Sequence, residues 1–111
     1  VPLPSSAVFK RQAQLDEMAD NAKQATSLLK ALAHEGRLMI LCYLSSGEKS
    51  VTELEELLSL RQPAVSQQLA RLRADDLIEA RRDGKTIYYS ISDERAEKVM
   101  ELVYELFCAK R

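Results

Sequence analysis

Two sets of residues in this chain carry usable chemistry. The first is basic and amide-rich. Arg61, Arg71 and Arg73 fall within residues 61–73, a stretch without acids, so it is locally +3 in a chain of net charge −1. Ser66, Gln67 and Gln68 stand among them. Gln can pair bidentately with adenine, and Ser can donate or accept at a base edge. Arg81, Arg82 and Lys85 follow closely, and cations so placed suit phosphates or a minor groove. The second set is a pair of thiols far apart in the sequence, Cys42 and Cys108. Intracellular Cys is usually a small buried hydrophobe, so the thiols need a positional reason to be more.

The elements that must position these residues follow from periodicity. Residues 1–13 include Pro2, Pro4, Ser5 and Ser6 and show no sustained period; they read as a mobile arm preceding a single domain over 14–111. Leu15, Met18, Ala22, Ala25, Leu29 and Leu32 then mark a first helix. His34-Glu35-Gly36 breaks it, and His34 is assigned no chemistry. A second helix from about Arg37 to Ser45 is apolar all round, so burial on nearly every side is expected. Val51, Leu54, Leu57 and Leu58 mark a third, with Ser50 or Thr52 as N-cap; Thr52 with Glu55 fits a capping box.

Pro63 opens a fourth helix. It should bury Val65, Leu69 and Leu72 and turn Gln67 outward. Leu77–Arg82 and Thr86–Ile91 flank Asp83-Gly84, a hairpin signal that calls for positive φ at both turn residues. Asp93 caps a last helix to about Ala109, with a stripe of Val99, Leu102, Val103 and Leu106. Cys108 lies off that stripe, beside Tyr104, and so faces a second surface, the second helix of the same subunit. The order α-α-α-α-β-β-α describes a mainly α winged helix-turn-helix with a small β-hairpin. In such a unit the N-terminal part of the second helix of the motif reads bases. The plain alternative is that the Gln/Arg face is only solvated; the basic hairpin tip weighs against it. The amphipathic end helices predict a homodimer through the terminal helices, reading a palindromic operator on double-stranded DNA.

Composition sets the outer limits. A chain of 111 residues, 46% apolar and 30% charged, has the material for one modest core. With 5% aromatic residues and no Trp, that core is aliphatic. Net charge −1 excludes a generally basic, charge-driven nucleic-acid coat. The longest apolar run, residues 38–44, falls far short of the ~18 residues a membrane span needs. Two cysteines make no secreted disulfide framework and no signal peptide is visible, so a cytoplasmic, reduced protein is expected.

The residues Leu32-Ala33-His34-Glu35-Gly36-Arg37-Leu38, Glu53-Leu54 and Gln62-Pro63-Ala64-Val65-Ser66-Gln67-Gln68-Leu69, followed by Leu72-Arg73, resemble the ArsR-type family of bacterial winged-helix repressors. The likeness covers nearly the whole chain from Met18 onward. It departs from the family wording at Arg61 (usually Ser) and Gln68 (usually His), and the second departure bears on which bases are preferred. The metal sites of that family lack their ligands here. Glu53-Leu54-Glu55-Glu56-Leu57 has no thiol, and Asp93, Glu97 and Glu101 have no partner His, because His34 is the only one. No metal and no cofactor are expected.

Leu41-Cys42 and Phe107-Cys108-Ala109 are also similar to the sulfide/persulfide-responsive branch of the family, the BigR/SqrR type. That resemblance implies that the reduced protein binds DNA and represses. Reactive sulfur species then link Cys42 to Cys108 by a di- or polysulfide bridge, and sulfide-detoxification genes are derepressed. The alternatives are a metal- or metalloid-responsive repressor, a thiol redox protein, and a winged-helix interaction module that does not bind DNA. Against an enzyme, there is no C-x-x-C and no Gly-rich phosphate loop.

Overall fold

The computed structural model describes residues 6–108. The chain divides into two units, residues 1–30 and 31–111. The first is helix α1 (Ser6–Leu32) as far as Lys30. Of the expected arm, residues 1–5 and their mobility lie outside the described residues, while residues 6–13 form the first turns of α1. No breaker follows Pro4, and Ala, Lys, Arg and Gln are good helix formers, so propensity carries the helix where periodicity is absent. Leu15, Met18 and Leu29 of α1 are exposed.

The second unit holds α2 (Glu35–Leu44), β1 (Lys49–Ser50), α3 (Val51–Leu58), α4 (Gln62–Ala74), β2 (Ile78–Asp83), β3 (Thr86–Ile91) and α5 (Glu94–Phe107). Strand β1 is absent from the expected order. Lys49 and Ser50 pair antiparallel with Tyr89 and Tyr88, giving the sheet order β1-β3-β2. Two residues are too few to leave a period-2 trace in a sequence.

The helix starts are chemically specified. His34 is the N-cap of α2: its Nδ1 accepts from the Gly36 and Arg37 amides at 3.1 and 3.4 Å. Gly36 therefore lies inside the helix rather than in the break. Ser50 caps α3 through a reciprocal box with Glu53, which displaces the Thr52–Glu55 pairing. Asp93 caps α5, accepting from the Arg95 and Ala96 amides at 2.8 and 3.0 Å. Ser59 ends α3 with φ +55, and the left-handed turn there aims the chain into α4.

Ile40, Leu41, Leu54, Val65, Leu69, Leu72 and Met100 form the centre of the core. Val65, Leu69 and Leu72 lie on the inward face of α4, as their spacing predicts. One expectation fails on the flanking helices. Helix α2 buries Ile40, Leu41 and Leu44 but leaves Met39 40% exposed, with Leu38 and Cys42 only half-buried. One flank of this apolar helix is open. In α5 the buried residues are Ala96 and Met100, while Leu102 and Leu106 are exposed. Of the stripe expected to pack against a second copy, Leu102 and Leu106 lie on the outer face, while Val99 and Val103 are half-buried.

The hairpin register pairs Asp83 with Thr86, so the loop is Gly84-Lys85 rather than Asp83-Gly84. Of these two, only Gly84 takes positive φ, +64. Glycine at the first loop position is the type II′ pattern, which needs one such residue where a type I′ turn needs two.

Candidate nucleic-acid interface and thiol groove

Helices α3 and α4 with the Ser59–Arg61 turn make a helix-turn-helix, and β2–β3 is its wing. The wing is linked to α4 through Leu77: its amide donates to the Leu72 carbonyl at 3.0 Å, and its carbonyl accepts from the Ser92 amide at 2.9 Å. Helix α4 and the wing are therefore joined through one hydrogen-bonded backbone segment.

The candidate reading residues occupy distinct environments. Gln67 is exposed on the face opposite Val65, Leu69 and Leu72. Ser66 is half-buried, and its hydroxyl accepts from Gln62 Nε2 at 2.6 Å. Gln62, which the sequence offered only as the start of the family-like motif, thus belongs to this polar face. Gln68 is half-buried over the start of α2; a Cβ on Gly36 would meet its Cδ at 3.6 Å. Arg71 is exposed and paired with Asp75 at 3.1 Å, one helical turn along.

The three wing cations also separate. Arg81 binds Glu48 with two nitrogens, Nε to Oε2 at 3.1 Å and Nη2 to Oε1. It approaches Asp83 at 3.9 Å and lies over the Tyr88 ring at 4.9 Å. The Arg81 hydrogen bond holds the Glu48 carboxyl below its usual range. Arg81, expected to suit phosphates or a minor groove, is thus already paired. Its partner, 33 residues away, came from no local signal. Arg82 projects to the opposite side of the ribbon from Arg81, as alternation requires. Arg82 and Lys85 are exposed.

The two thiols meet the same surface. A groove of about 460 Å³ runs between α2 and α5. Helix α2 contributes Leu38, Met39 and Cys42, with Glu35 at its start. Helix α5 and its cap contribute Met100, Val103, Phe107 and Cys108. Cys42 is half-buried and Cys108 is exposed. Burial pushes the Cys42 thiol above its ordinary range, and proximity to Cys108 adds to the effect. Among the described residues, no three His, Cys, Asp or Glu side chains converge as a metal site would require. Also among them, no helix is long and apolar enough to cross a membrane.

Comparison with known proteins agrees with this geometry. Residues 34–80 match the family described as "Bacterial regulatory protein, arsR family". The chain is 44% identical to the biofilm growth-associated repressor of Agrobacterium fabrum over 86% of this chain and 81% of that one. It is 45% identical to the transcriptional activator HlyU of Vibrio cholerae over 85% of this chain and 87% of that one. The solved structure of reduced HlyU superimposes with a TM-score of 0.81, at 44% identity, covering 84% of this chain and 98% of that one. A homodimeric winged helix-turn-helix DNA-binding domain of Mycobacterium bovis, Mb0332, aligns with a TM-score of 0.70 at 33% identity, over 82% of this chain and 84% of that one.

Proposed function

The chain belongs to the bacterial arsR family of regulatory proteins, winged-helix transcriptional regulators rather than enzymes, and on that premise we propose that it is a homodimeric, cytoplasmic repressor whose DNA affinity is switched by sulfur chemistry at Cys42 and Cys108. In the reduced state two α4 helices read successive major grooves of a palindromic operator, about 34–36 Å apart. Ser66, Gln67, Gln68 and Arg71 serve the reading helix, and Arg82 and Lys85 the wing, with Arg81 held beside them by Glu48. Reactive sulfur species then link Cys42 to Cys108 by a di- or polysulfide bridge, DNA is released, and genes for sulfide oxidation and detoxification are derepressed.

The observation that carries this reading is the shared groove: thiols far apart in sequence line one cleft of one protomer. A bridge there ties α5 to α2, the helix whose other side packs in the core with α4. A coupling of only about 1–3 kcal/mol between bridge and DNA lowers affinity about 5–150-fold. The dimer is supported by α5, which leaves Leu102, Tyr104 and Leu106 exposed outside the groove, and by the homodimeric relative.

The test is intact-mass analysis after persulfide or peroxide treatment, read beside operator affinity. A gain of sulfur that joins both cysteines, with loss of binding, is expected for persulfide. A bridge that leaves DNA affinity untouched rules out the switch.

A further inference from the structure

We propose that the groove between α2 and α5 selects sulfane-sulfur donors with uncharged, apolar bodies over donors with charged bodies such as glutathione persulfide. This inference rests on the reading of Cys42 and Cys108 as a sulfur-responsive pair and names the effector class for it.

A molecule that must reach both thiols meets walls made by Leu38, Met39, Met100, Val103 and Phe107. Among the described residues, the charged member of the lining is the acid Glu35, and no Lys or Arg joins it. The volume, about 460 Å³, is that of a small-molecule site, for which about 300–1,000 Å³ is typical. An apolar body gains by leaving water for such walls. A body carrying carboxylates must shed its hydration against described walls that offer no counter-charge, and meets Glu35 as well. The raised Cys42 thiol reports the same environment, since burial is what disfavours its anion. The two thiols decide the reactive end of the occupant: it must present an electrophilic sulfur.

The chemistry balances with a hydropersulfide RSSH as oxidant. The exposed Cys108 attacks as thiolate at the outer sulfur of the donor. The donor S–S bond breaks, and RS⁻ leaves and takes up a proton. Cys108 is now a persulfide. The Cys42 thiolate attacks Cys108 Sγ, the bond from Sγ to the outer sulfur breaks, and hydrosulfide leaves and is protonated. In total, two thiols and one RSSH give one disulfide, one RSH and one hydrogen sulfide. The protein loses two electrons and the sulfane sulfur gains them. Two donors leave one extra sulfur in the bridge, with two RSH and one hydrogen sulfide released.

The experiment uses the reduced protein with benzyl persulfide and with glutathione persulfide. Bridge formation is followed by intact mass, and each rate is divided by the rate of the same donor with N-acetylcysteine, which removes intrinsic reactivity. The normalised rate is expected to favour the benzyl donor by about tenfold or more, the scale set by burying one aromatic body. In a Met39→Lys variant, which places a cation at a residue already 40% exposed, the preference should move toward glutathione persulfide. A wild-type ratio near one overturns the selectivity while leaving the sulfur switch standing. An unchanged ratio in Met39→Lys overturns the groove as its origin. If neither donor joins the two thiols, the sulfur-responsive reading itself falls, and this inference with it.

Discussion

Gln67 and Lys85 are both exposed polar groups near the expected duplex, yet they should fail in different ways when removed. If Gln67 reads a base, Gln67→Ala costs about 1–3 kcal/mol at one operator position and little on scrambled DNA. Equal losses on both sequences would exclude that role. Lys85→Ala should instead weaken all sequences alike and flatten the salt slope by about one unit, as removal of a phosphate contact does. Arg81 behaves as neither. Its guanidinium already serves Glu48 and the Tyr88 ring, so Arg81→Ala should act through wing placement. Glu48→Gln, which removes the competing charge, should raise affinity for DNA of any sequence and steepen the salt slope. A slope unchanged in Glu48→Gln would show that Arg81 stays out of reach of phosphate. For the thiols, the sign follows from burial. Cys42 is held in its neutral form beyond the ordinary thiol range near pH 8.5. Bridge closure by Cys42 should therefore accelerate by about tenfold per pH unit up to and past that range. A rate that levels off below it would mean that Cys42 is not the closing nucleophile.

At the scale of elements, the caps are the exposed levers. Asp93→Ala should cost about 0.5–2 kcal/mol by stripping the first turn of α5 of its acceptor. The Asp93 carboxyl is held below its ordinary range, first by the hydrogen bond from Arg95 and then by the amides of Ala96 and Arg95, against the opposing effect of burial. A depressed carboxylate stabilises the fold fully above its unfolded value near pH 3.9, and that contribution is lost as pH falls through the lower folded value. Asp93→Asn should keep most of the cap and lose this acid-limb dependence, which chemical denaturation at about pH 2–5 would measure. His34 fills the same place on α2, its Nδ1 accepting from the Gly36 and Arg37 amides.

These elements differ in how far the sequence revealed them. Helix α4 was legible because Val65, Leu69 and Leu72 fall on one face and Pro63 opens it. The hairpin was legible from Asp83-Gly84, although the register moved its loop by one residue. Strand β1 was not, since two residues carry no period. The division of α5 was not either, because Leu102, Leu106 and Val103 look alike in a helical wheel. What distinguishes them is which neighbour each meets. The shared groove of the thiols was suggested only by the family resemblance, since Cys108 lines it together with Val103 of the stripe it was expected to avoid, and without Tyr104. Glu48 escaped because pairing across 33 residues depends on the sheet that β1 joins.

For the whole molecule, the exposed apolar side chains are the main constraint. Leu106 is 61% and Leu102 53% exposed, which a solitary protomer has little reason to maintain. Leu106→Glu should leave the protomer folded and dissociate the dimer in sedimentation at micromolar concentration. Loss of the second half-site then weakens operator binding by about 10²–10⁴-fold. An intact dimer in that variant would move the interface elsewhere.

Helix α2 serves both the core and the groove, and its residues divide by side. Ile40, Leu41 and Leu44 are sealed in the core, while Leu38, Met39 and Cys42 border the groove. The two sets should therefore answer to different requirements. Substitutions in the first should cost stability whatever the effector. Substitutions in the second should change the proposed response and leave the helix-turn-helix folded, so a handful of positions on one helix would suffice to retune the stimulus.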